Sequence, residues 1–188
     1  MLRKIIFAGL TGGITLMVWA LLVNGIFGFR YRMDMKQVPN ETQVYQILKQ
    51  NIVEPGRYLC NPALTESETF PENEPVFSIL YGGIGHEAAG PVSVILDFIF
   101  AIITATLCAW LLSLTSEKII SGYFSKVFFI VLIGLLFAFF SDLKKYGIGN
   151  YPLSDTLIIT LHNIILWTVL GLVISLFIKP DAKKPVKS

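Results

Sequence analysis

The stretch Ile5 to Phe29, IIFAGLTGGITLMVWALLVNGIFGF, runs 25 residues without an ionisable side chain. A hydrocarbon core about 30 Å thick is crossed by roughly 20 helical residues, so this run spans it with residues to spare. Lipid offers nothing to pair with a bare N–H or C=O, and the run is therefore expected to be a helix. Arg3 and Lys4 before it resemble the basic start of a signal peptide. The run is too long for a signal core and has no Ala-x-Ala exit, so it is expected to stay as an anchor.

Three further runs share its character. Pro91 to Leu114 carries one charge, Asp97, and Asp155 to Ile178 carries only the titratable His162 after its first residue. Val127 to Phe140 is shorter, and Ser125, Lys126, Ser141 and Asp142 extend it through the headgroups. The expected spans are thus about 5–29, 91–114, 125–142 and 155–178. Composition agrees: 54% of residues are apolar and mean hydropathy is +0.65. Only 15% are charged, against about 25% in a soluble domain. A soluble enzyme and a disordered chain are both excluded. A net charge of +2, dispersed along the chain, gives no footprint for nucleic acid.

The fold expected is an all-α membrane protein, a single membrane domain over residues 1–188. It is a four-transmembrane-helix bundle with a small extracytoplasmic helix-plus-hairpin insertion between helices one and two. An even number of crossings puts both ends on one side. Eight basic residues fall on that side, four of them Lys179, Lys183, Lys184 and Lys187, and seven on the other. The bias favours N-in and C-in in a bacterial inner membrane. Tyr31, Tyr81, Tyr123, Tyr146 and Tyr151 fall near the expected helix ends, at the level amphipathic rings prefer.

The loop of residues 30–90 is too long to be a mere connection. Asn40, three residues before Gln43, is a candidate N-cap with a capping-box partner. Val44, Ile47, Leu48 and Ile52 follow on one helical face, and Pro55-Gly56 ends the helix. Arg57 to Cys60 and Val76 to Tyr81 are expected strands. Asn61 to Pro75, with three prolines and four glutamates, is expected to be an exposed excursion.

Helices in lipid associate through small and weakly polar residues, and each span offers a stripe of them. These are Gly9, Gly13, Ala20, Asn24 and Gly28; Asp97, Ala101, Thr104 and Cys108; Gly134, Ala138 and Asp142; and Thr156, Thr160, Asn163, Trp167 and Gly171. The stripes can face one another or a second protein. Asn24, Asp97, Asp142 and Asn163 form a candidate polar pocket, because polar side chains at membrane depth are costly and mark function by default. The competing view is that Asp97 only ties helix two to a neighbour. At 100° per residue His162 points away from the stripe of its own helix, so something must cover its ring: a partner helix, a cofactor or the headgroup zone.

His86 and His162 are the only histidines and so the only candidates for a bis-histidine haem site. His86 sits in the glycine-rich Gly82-Gly83-Ile84-Gly85-His86-Glu87. No compact spacing of ligands points to a metal, and no Ser/His/Asp or Cys/His arrangement points to a catalytic residue. The cofactor is left unassigned. Cys60 lies in the loop and Cys108 deep in a span, so they cannot pair.

Met17-Val18-Trp19-Ala20, Pro39-Asn40-Glu41, Pro55-Gly56-Arg57-Tyr58 and the run Val76 to Tyr81 resemble a group of uncharacterised bacterial inner-membrane proteins. That group has four helices and one long loop after the first, and the resemblance implies no activity and no catalytic residues. The function expected is that of a non-enzymatic accessory or scaffold subunit in the lipid bilayer, packing against other membrane protein subunits or forming a homo-oligomer. The alternative is a membrane module that binds a small molecule, haem, quinone or lipid in an outward-facing polar pocket around Asp97 and His162. A transporter using Asp97 as a proton site is disfavoured, since no inverted repeat or broken helix is visible.

Overall fold

A computed structural model describes residues 1–34, 36–69, 72–84, 90–147 and 151–180. The chain divides into a helical unit, Met1–Met33 with Ala89–Ser188, and a smaller unit, Asp34–Ala88.

In the helical unit, four helices are long and apolar enough to cross a membrane: Leu2–Ile26, Pro91–Ser113, Tyr123–Gly147 and Leu153–Phe177. The first comprises α1 (Leu2–Ala20) and a π-helical continuation over Leu21–Ile26. Gly28, at φ +60, turns the chain into the short α2 (Phe29–Asp34). In the smaller unit come α3 (Glu41–Asn51), β1 (Gly56–Cys60), α4 (Pro62–Thr65) and β2 (Phe77–Tyr81). The helical unit resumes with α5 (Pro91–Ser113) and the short α6 (Glu117–Ser121). Next is α7 (Tyr123–Phe137), which continues as a π turn over Ala138–Asp142, then α8 (Lys144–Gly147) and α9 (Leu153–Phe177).

The third span is longer than the apolar run that announced it, because charged residues lie inside the helix. Lys126 is buried, and its Nζ donates to the carbonyls of Ser175 and Ile178, both at 2.7 Å. The ammonium thus closes the carbonyl end of α9, where a cation is favoured. Tyr123 OH adds a bond to the Leu172 carbonyl at 3.0 Å.

Small residues set the distances between helices. A Cβ on Gly9 would overlap Thr106 Oγ1, and one on Gly13 would lie 2.7 Å from Ile102 Cα. The backbones of α1 and α5 therefore touch, with Ala8, Ala105 and Ala109 fully buried between them. A Cβ on Gly12 would meet Ala105 and Leu170, so the same stretch of α1 also rests on α9. On the far side of α9, Gly171 admits Ile130 of α7, and Trp167 packs where Gly134 has no side chain. These pairings are antiparallel. Leu2 and Phe177 consequently lie at the same end, where the Phe7 and Phe177 rings meet at 5.5 Å.

Outward, the unit is apolar. Between 17% and 28% of the most hydrophobic stretch of each span is buried, and side chains such as Phe124, Leu136 and Phe140 are 70–80% exposed. An apolar surface of that extent belongs in lipid.

In the smaller unit β1 and β2 pair antiparallel from Gly56↔Tyr81 to Cys60↔Phe77. Asn61 organises the connection between them. Its Oδ1 accepts from the Ala63 amide at 2.9 Å and its Nδ2 donates to the Pro75 carbonyl at 3.1 Å, so the start of the expected excursion is a capped helical turn. Asn40 does precede α3, but its side chain caps nothing. Its backbone is left-handed, φ 60, whereas a capping side chain needs extended dihedrals. Its carbonyl serves instead, accepting from the Gln43 and Val44 amides.

Candidate functional site

The end of the helical unit opposite Lys126 gathers most of the polar side chains singled out from the sequence. Two of the spans change geometry there. The Phe27 amide bonds to the Leu22 carbonyl and the Leu143 amide to the Ala138 carbonyl, each five residues back. Such π turns often accompany functional sites. The second one carries Asp142 inward, so that its side chain is buried.

Asp142 Oδ2 accepts from Asn163 Nδ2 of α9 at 2.7 Å. Its Oδ1 lies 3.6 Å from Lys145 Nζ, three residues on, and that lysine side chain is 42% exposed. The carboxylate is therefore held by one direct bond from a neighbouring helix and by one looser, solvent-screened pair. Lys144 turns elsewhere, its Nζ 5.3 Å from the centroid of the Phe140 ring.

Below the Asp142–Asn163 pair lies a cavity of about 230 Å³. Every span contributes to its wall: Leu16 from α1, Thr104 from α5, Phe137 and Asp142 from the third, and Asn163 and Trp167 from α9. The Phe137 and Trp167 rings stack at 5.4 Å and 15°, forming one flat aromatic face. Gly134 is what makes room for that indole. The site thus joins an apolar, aromatic body to a carboxylate and an amide, with the hydroxyl residues Thr104 and Ser141 also in its lining, a form suited to a small, largely apolar molecule with a hydrogen-bonding end.

His162 does not line this cavity. Its ring stacks on Phe29 at 4.7 Å and 28°, and on Trp19 at 6.3 Å and 27°. The cover expected over this histidine is supplied by its own chain. Phe29 reaches it because Gly28 turns α2 out of the line of α1. His86 lies outside the described residues, so its relation to His162 is not described. Among the described residues no group of three or more His, Cys, Asp or Glu is placed to hold a metal ion.

The remaining pocket candidates separate. Asn24 sits in the first π turn, half-buried; its Oδ1, like Trp19 Nε1 and Thr160 Oγ1, is buried without a hydrogen-bond partner among the described residues. Asp97, two helical turns before Thr104, is exposed on α5 and does not line the cavity. Sequence reasoning passed over Leu16 and Phe137 as lining residues and Lys126 as a buried cap. For Lys126 the available signal was a single basic residue at the start of an apolar run, 52 residues before Ile178 at the end of the last one.

Fold and surface together define a multi-pass membrane protein. Beyond that class, no protein-family profile, curated protein or solved structure matches the chain.

Proposed function

We propose that this protein is a four-helix bundle of a bacterial inner membrane that binds a small, largely apolar molecule bearing one hydrogen-bond donor. In this reading both chain ends are cytoplasmic and the Asp34–Ala88 unit is extracytoplasmic. The observation that carries the binding function is the buried Asp142 carboxylate, held by Asn163 at the polar end of a cavity that all four spans line. A buried carboxylate left half-open to a cavity is an acceptor for a ligand's donor. At about 230 Å³ the space takes a fragment or the end of a larger amphiphile, since cavities for drug-sized ligands run from roughly 300 Å³ upward.

Native mass spectrometry of the protein released from nanodiscs tests this. The wild type is expected to carry an adduct of constant small mass. Asp142→Asn should weaken its retention about tenfold, the cost of losing roughly 1.4 kcal/mol of charge-assisted bonding. Thr104→Trp, which fills the cavity from the opposite wall, should abolish it. Equal adducts in all three proteins, or none in the wild type, would count against the reading.

One observation favours a second reading, the accessory or self-associating subunit. Asp97 is an exposed carboxylate about 9 Å along α5 from its first residue, taking 1.5 Å per residue, on a flank otherwise suited to acyl chains. A partner helix that covered it would relieve that cost. The same spectrum reads this alternative as a dimer or a copurifying chain above the 21.0 kDa protomer.

The orientation has its own check. Cys60 is exposed and Cys108 buried. A membrane-impermeant maleimide added to intact spheroplasts is expected to label Cys60 and leave Cys108 unmodified. Labelling that requires lysis would place the Asp34–Ala88 unit in the cytoplasm.

A further inference from the structure

The Asp34–Ala88 unit has almost no interior of its own: among its described residues only Asn61 is buried. An 11-residue helix and a two-stranded hairpin are each marginal alone, and here they do not seal against each other. Between them lies a cavity of about 500 Å³, within the range of ligand sites. Tyr45, Leu48, Lys49 and Ile52 line it from α3 and its last turn, at the spacing of one helical face. Ile79, Leu80 and Tyr81 line it from β2, the first and last from one face of the strand. At its rim Val53 is 81% and Ile84 99% exposed.

We propose that this groove is a second binding site, independent of the one at Asp142, and that it takes a single acyl chain with an anionic head. The walls name the occupant. They hold aliphatic side chains, two phenols and one cation, and the described lining includes no carboxylate, amide or small hydroxyl side chain. An acyl chain has no N–H or C=O groups to pair, so it fills a space walled by aliphatic side chains without the several-kcal/mol cost of an unpaired buried amide. Lys49 is the one formal charge among the described lining residues, and it selects an anionic head over a neutral one. The chain fills the space between helix and sheet, and the lysine holds the carboxylate or phosphate at the surface.

The test uses the full chain in nanodiscs and a diazirine-bearing palmitate. Photolysis is expected to label peptides within residues 41–53 and 77–84. Unlabelled palmitate and palmitoyl-lysophosphatidate should displace the probe, and their ranking tells a free carboxylate from a lipid phosphate. Hexadecanol should displace it about three- to fivefold less well, the worth of an exposed ion pair. Lys49→Met should erase that difference while leaving labelling in place, and Leu48→Trp should reduce labelling by filling the groove. Label confined to the membrane spans would overturn the proposal. So would hexadecanol competing as well as palmitate against the wild type, or an anion preference that survives Lys49→Met.

Discussion

Gly13→Leu is expected to lower the stability of the helical unit by about 3 kcal/mol or more, the upper range for overpacking a close contact. A Cβ at this position would sit 2.7 Å from Ile102 Cα and 2.9 Å from Ile102 N. Those are backbone atoms, so no rotamer change relieves the clash and α1 must move off α5. In lipid nothing drives the helices back together, because their attraction is the close fit itself. The midpoint of unfolding in increasing dodecyl sulfate, followed by circular dichroism, reads the effect. Gly25→Ala is the control: a Cβ there meets nothing within 4 Å, and its midpoint should hardly move. If both variants unfold at the wild-type midpoint, α1 and α5 do not pack through Gly13.

Lys126→Ala is expected to cost about 3 kcal/mol and to fray one end of α9. The two 2.7 Å bonds from Nζ hold the Ser175 and Ile178 carbonyls, which otherwise end a helix without partners. Bonds to a charged donor contribute about 1.5–3 kcal/mol each, and truncation also leaves their acceptors unsatisfied. The signature is local. Amide exchange should accelerate over residues 174–178 and stay unchanged over residues 156–163, beside the Asp142–Asn163 pair. Uniform acceleration along α9 would show that Lys126 acts through the whole fold rather than as a cap.

Much of the helical architecture is legible in hydropathy alone, because four long runs without paired charges admit one stable conformation in lipid. The length of the third span is not. Lys126, Lys144 and Lys145 look like ends, and only a carbonyl supplied from 49 to 52 residues away lets Lys126 lie inside. Asp142 and Asn163 can be named as candidate pocket residues, yet their bond depends on a π turn that no side-chain pattern announces. Asp97 is a candidate on the same grounds and is exposed instead, because a wheel gives angles within one helix and not the facing of its neighbours. His162 illustrates the same limit. Its angle showed that it needed cover, but Phe29 supplies it only because Gly28 takes a left-handed turn. The cavity was invisible for a related reason: it is bounded by an indole seated on Gly134, a contact between two residues 33 apart.

The two ends of the helical unit are unequally stiff. At one, an ammonium pins α7 to the last carbonyls of α9 and small residues lock backbone to backbone. At the other, two parallel arms each hold one residue of slack in a wider ring, one carrying Asn24 and the other Asp142. Taking up that slack slides either side chain by about 1.5 Å along its axis, roughly the difference between making and losing a hydrogen bond. The unit is built like forceps with a riveted heel, and a strain applied at the open jaw is absorbed within the last turns before it reaches the rivet.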